Sequence, residues 1–128
     1  MKTVSLSEKV DTHSPAGAEV RFMVEGATGG MIHCTLPPFQ VNKAVIHATV
    51  NEFWYVLSGH GEIWRDNGID SSVTKLSAGM SINILPDTVF QYRSVSDEAL
   101  TFICITMPPW PSDTEASFVD KGKWVPTV

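Results

Sequence analysis

Apolar and polar side chains alternate with a period of two through most of this chain, and that alternation limits what the chain can fold into. From Ala18 to Val24 the residues Ala18, Val20, Phe22 and Val24 alternate with Glu19, Arg21 and Met23, the pattern of a strand with one buried face. Similar runs follow at Met31–Leu36, Lys43–Thr49, Glu52–Leu57, Glu62–Arg65, Val73–Leu76, Met80–Leu85, Val89–Tyr92 and Leu100–Met107. Turn signals separate them: Gly29-Gly30, Pro37-Pro38, Gly59-His60-Gly61, Asp66-Asn67-Gly68, Ala78-Gly79 and Pro86-Asp87. Asn67-Gly68 predicts a tight hairpin, because both residues tolerate the positive φ of a type I′ turn. No segment carries a sustained apolar stripe at helical spacing. An all-β domain with low helix content, a sandwich or barrel, is therefore expected.

The ends differ from the middle. Residues 1–17 form a polar arm with a Pro-Ala-Gly break, 18–107 hold the strand pattern, and 108–128 form a tail with little strand character. Pro108-Pro109-Trp110-Pro111 lacks the N–H donors that a central sheet needs. The tail is expected to cross the barrel surface, anchored by Trp110 and Trp124. The chain has 128 residues, 43 % of them hydrophobic and 18 % charged, enough for one domain with a real core. Its net charge of −5 and the absence of any Lys/Arg run speak against a nucleic-acid partner. No apolar run approaches the ~18 residues of a membrane span, and the start lacks the apolar core of a signal peptide. A cytoplasmic protein with no membrane partner is the expectation. Cys34 and Cys104 are too few for a disulfide scaffold and read as buried apolar residues.

Of four histidines, His13 and His60 fall in polar or turn segments and read as solvated. His33 lies on a predicted strand and reads as structural. His47 stands apart because Glu52 opens the next strand and Gly59 closes it. If the two strands form a hairpin, His47 and Glu52 face each other within reach of one metal ion or one substrate proton. There is no nucleophile elbow, P-loop or dinucleotide glycine fingerprint, so no organic cofactor is expected.

At these residues the chain resembles the cupin superfamily, in its small single-domain form. Glu52, the six residues Phe53–Ser58 and Gly59 match the second half of the first cupin motif, and His47 matches its second histidine. Gly79 and the stretch Pro86-Asp87-Thr88-Val89-Phe90-Gln91 resemble the second motif, with the gap from Gly79 to Pro86 one residue longer than in the pattern. The resemblance covers Lys43 to Tyr92 and implies a cupin-type jelly-roll β-barrel. Val45 stands where the first metal-binding histidine would be, Gln91 where the last would be, and Thr88 replaces a glycine. The resemblance implies a divalent metal (manganese, iron, nickel or zinc) held by His47, Glu52 and Gln91. An oxygen-rich set of this kind suits manganese or iron(II). The residues alone leave open a metal-free pair hydrogen-bonding inside the barrel. The resemblance also implies a homodimer.

Parity on the later strand puts Gln91 and Arg93 on one face, opposite Phe90 and Tyr92. An inward Arg93 is expected to bind a carboxylate or phosphate; alternatively it pairs with Asp97 or Glu98 at the rim, or with Glu52. Trp54 is expected to line the same cavity and Trp64 to close it, giving a substrate pocket for a small anionic molecule. Two functions follow. The chain is an enzyme, a cupin-type dioxygenase, isomerase or lyase with His47 and Glu52 as its catalytic pair, or a metal-free module that binds or senses a small molecule without chemistry.

Overall fold

The computed structural model describes all of residues 1–128. Eleven strands form two antiparallel sheets, and the only helical element is a single 3-10 turn, Asp113–Glu115. The first sheet runs β1 (Thr12–His13), β2 (Glu19–Glu25), β3 (Gly30–Leu36), β10 (Leu100–Met107), β5 (Asn51–Ser58), β8 (Ser81–Ile84). The second runs β11 (Ala116–Phe118), β4 (Val45–His47), β9 (Val89–Ser94), β6 (His60–Asp66), β7 (Ser71–Ser77). Strands distant in sequence lie side by side, as β3, β10 and β5 do, and from β3 onward every connection except β6–β7 crosses from one sheet to the other. This is the all-β class that the alternation predicts, in the jelly-roll form that the resemblance implies. No helix is long and apolar enough to cross a membrane.

Alternation decides which side chains meet. Val20, Cys34, Leu36, Trp54, Val56, Phe102 and Cys104 point inward from the first sheet, against Val45, Ile63, Leu76, Phe90 and Tyr92 from the second. Trp54 stacks on Phe102 at 3.8 Å, with Tyr92 edge-on to both. The middle of the barrel is thus filled by rings, each adding about 0.5–1.5 kcal/mol of ring pairing beyond its burial. Gly59 carries the chain between sheets: its φ is +81°, and a Cβ there would strike the Ala99 carbonyl. Only glycine fits that crossing.

Four local expectations are corrected. The β6–β7 hairpin has four loop residues rather than two, since the register closes at Asp66↔Ser71. Gly68 alone has positive φ there, and the Asn67 side chain accepts from Ile69 N and Asp70 N, an Asx turn in place of type I′. Lys43–Thr49 yields only the three-residue strand β4. The polar arm contributes β1 to the first sheet. The tail, expected to have little strand character, supplies β11, which pairs with β4; the proline run precedes it and joins no sheet.

A buried histidine and carboxylate at the candidate active site

His47 ends β4 and Glu52 opens β5, but the two strands belong to opposite sheets. The side chains therefore meet across the barrel interior and not across a hairpin. Nδ1 of His47 lies 2.7 Å from Oε2 of Glu52, and both residues are 6 % exposed. The carboxylate oxygen sits off the direction of a ring N–H, so Nδ1 has no aligned hydrogen bond. The contact is a close polar pair in van der Waals company with Phe90 and Trp110. The other oxygen, Oε1, accepts from the Trp54 indole N–H and from the Cys104 thiol, both at 2.9 Å.

Electrostatics follow from those contacts. Burial pushes the Glu52 carboxyl up, but the contact and charge of His47, then Cys104 and Trp54, outweigh it and hold the group below its ordinary range. Glu52 is an anion at neutral pH. Burial, then the charge of Glu52, pushes the Cys104 thiol well up, which keeps it protonated and able to donate. On the histidine, Phe90 and Trp110 stand edge-on at 5.1 and 5.0 Å. Nε2 has no protein partner and is not among the buried polar atoms left unpaired. That nitrogen is the edge of the imidazole left free by the protein, and Trp110 of the tail packs against the ring.

Gln91 does not join this pair. Its Nε2 donates to the carbonyls of Asn42 and Trp124, each at 2.8 Å, and its Oε1 accepts from Trp124 N. It lies on the outer face of the second sheet, sealed by the tail. The inward residues of β9 are Phe90 and Tyr92, the reverse of the parity expected. Asp87 explains the reversal: its φ is +62°, the left-handed conformation that glycine favours and aspartate tolerates. The motif glycine thus corresponds to Asp87 and not Thr88. The register moves by one residue, and a one-residue slip turns every side chain to the other face. Phe90 occupies the histidine position beside His47. The extra residue between Gly79 and Pro86 was the available signal.

Arg93 faces outward with Gln91. It contacts neither Glu52 nor Asp97 or Glu98: its Nε and Nη2 donate to Glu62 Oε1, at 3.0 and 2.6 Å. Its guanidinium also lies 4.3 Å from the Trp124 ring centre. It holds the tail and does not bind substrate in the barrel. Trp64 shares the outer face with Glu62 and bonds Ser71 Oγ; it closes no cavity. Trp54 does face the interior, where it fills the core and orients Glu52. His33 is buried but its Nδ1 finds no partner, so it is not the satisfied structural histidine expected. Cys104, Phe90 and Glu115 were missed at this site, and Trp110 was expected only as an anchor of the tail, because none has a motif signature of its own.

A divalent ion does not fit these residues. Val45 and Phe90 offer no donor, Gln91 points away, and one oxygen of Glu52 is already bonded twice. One imidazole and one carboxylate oxygen are fewer protein donors than catalytic metal sites use, and no three His, Cys, Asp or Glu side chains cluster as a metal group.

Comparison with known proteins agrees with this architecture. A family profile described as Cupin domain matches residues 32–106. No curated protein sequence matches the chain. A Klebsiella pneumoniae protein with a double-stranded β-helix domain has a similar structure, at 22 % identity, TM-score 0.66, covering 92 % of this chain and 100 % of that one. Streptomyces PAC13 with uridine superposes at TM-score 0.69, 15 % identity, over 93 % of this chain and 92 % of that one; Pac13 is described as a nucleoside dehydratase. KdgF from Halomonas sp. gives TM-score 0.62 and 15 % identity, over 74 % and 82 %.

Proposed function

The chain belongs to the Cupin domain family, and from that premise we propose that it transforms a small molecule by acid–base chemistry, with His47 as the proton-transferring group. One observation carries this reading. A buried histidine has one nitrogen against an anionic carboxylate at 2.7 Å and the other without a protein partner. Such a pair fixes the tautomer, leaving the lone pair on Nε2, and stabilises the imidazolium once a proton has moved. Glu52 is the positioning residue; Trp54 and Cys104 hold it in place. Nε2 removes a proton from a carbon next to a carbonyl and returns it either to a neighbouring atom of the substrate, as an isomerase requires, or to the β-hydroxyl that leaves as water, as a dehydrating lyase requires. The description of Pac13 as a nucleoside dehydratase supports chemistry of this class on a similar fold.

The reading is tested by incubating the protein in D2O with a panel of small hydroxy acids, sugar acids and nucleosides, uridine included. Proton exchange or water loss is followed by NMR, before and after chelator treatment. We expect turnover of at least one compound, insensitive to chelator, falling by roughly 10²-fold or more in His47→Gln. Chelator-sensitive turnover, or turnover equal in His47→Gln, overturns it. A binding module without chemistry is the second reading, favoured by the packing of His47 between Phe90 and Trp110. It predicts saturable binding with no exchange.

A further inference from the structure

The second sheet carries a cavity on its outer face, away from the inward-facing His47. It measures about 520 Å³ and lies between the segment leading into β4, Gln91 of β9 and the tail from Phe118 to Pro126, within the size range of small-molecule sites. Three of the chain's six lysines line it: Lys43, Lys121 and Lys123. The protein's ion pairs are His47–Glu52 and Arg93–Glu62, so none of these three ammonium groups has a carboxylate partner. Asp120 also borders the cavity and forms no ion pair. Three cations set against the one carboxylate of Asp120 leave this concavity positive in a chain of net charge −5, and concentrate positive potential where the rest of the molecule is acidic.

The wall is built into the fold. Gln91, fully buried, bonds Trp124 at both its N–H and its carbonyl, while Arg93 packs on the Trp124 ring. Gly122 lies so close to the sheet that a Cβ would come within 2.5 Å of Gln91 Oε1. These contacts fix the turn that brings Lys121 and Lys123 to the same cavity as Lys43. The indole of Trp124, with Phe118 and Pro126, adds apolar surface beside the charges.

We propose that this cavity is a second binding site, for a small polyanion whose phosphate or clustered carboxylate groups meet the three lysines. The test is titration calorimetry at low ionic strength with pyrophosphate and, separately, citrate. The variants are the triple Lys43→Gln/Lys121→Gln/Lys123→Gln and a charge-matched triple, Lys2→Gln/Lys9→Gln/Lys75→Gln. At least one anion is expected to bind wild type at submillimolar concentration, roughly tenfold or more weaker in the first triple and unchanged in the second. Preference for pyrophosphate identifies a phosphate ligand, and preference for citrate a carboxylate ligand. Absence of binding by either anion, or equal weakening in both triples, overturns the proposal.

Discussion

Glu52, Glu115 and His33 all titrate below their ordinary values, and each shift has a sign for stability. For Glu115 burial acts upward, and the bonds from Thr49 and Val50, with the charge of His47, act downward and win. For His33 burial and then Arg21 favour the neutral ring. A depressed pKa means that the unfolded chain binds the proton more readily than the folded one, so stability is lost as pH falls. The His33 contribution fades as pH drops from the ordinary 6.5, and the two carboxylates follow below 4.5. Urea unfolding from pH 7 downward is expected to show two successive declines in midpoint. His33→Gln removes the upper one and leaves the lower; persistence of the upper decline in that variant contradicts the assignment. Glu52→Gln keeps an acceptor for Trp54 but removes the charge beside His47, and should weaken only the lower decline.

Two short elements carry strain or restraint that periodicity does not announce. Pro37 to Gln40 forms a turn closed by Gln40 N to Pro37 O, and Phe39 sits in its third position with φ +60° while 61 % exposed. An exposed bulky residue in left-handed backbone costs roughly 1–2 kcal/mol. Phe39→Gly is expected to raise stability by roughly 0.5–1 kcal/mol in urea titration; a loss of stability would show that Phe39 makes a compensating contact. The second element is the 3-10 turn ending in Glu115, whose carboxylate accepts from Thr49 N, Thr49 Oγ1 and Val50 N. That clip ties the tail to the link between His47 and Glu52, and so seats Trp110 over the imidazole. Glu115→Ala leaves the buried Val50 N–H unpaired, at about 1–3 kcal/mol, and the exposed Thr49 N–H to water. Faster amide exchange at Thr49 and Val50, with greater solvent access to His47, is expected; unchanged exchange would mean the tail is held elsewhere.

On the whole molecule, the outer face of the first sheet is apolar where β5 and β10 pair. Phe53, Tyr55 and Leu57 are 39, 50 and 41 % exposed along β5, with Ile103 and Ile105 opposite Tyr55 and Phe53 on β10 and Met107 at the strand end. A second copy of the chain packed there would hide these side chains, and a stable pair needs above ~1,000 Å² of buried surface. Light scattering at micromolar concentration is expected to report a dimer, converted to monomer by Tyr55→Glu. A wild-type monomer removes the expectation.

Side-chain alternation is local, so the residues themselves determined the all-β class and nearly every strand. The motif residues His47, Glu52 and Gly59 were equally legible. Which partners those residues meet was not. The assignment of β4 and β5 to opposite sheets depends on pairings with strands more than forty residues away, Val45 with Phe90 and Glu52 with Thr106. The face shown by Gln91 and Arg93 depends on one residue of register, fixed by the left-handed Asp87 and by a tail that buries Gln91 from outside. Parity read along one strand gives two sets of side chains but not which set is inside. Only the packing of Phe90 and Tyr92 against Trp54 and Phe102 decided that, because rings gain far more than a carboxamide or guanidinium from leaving water.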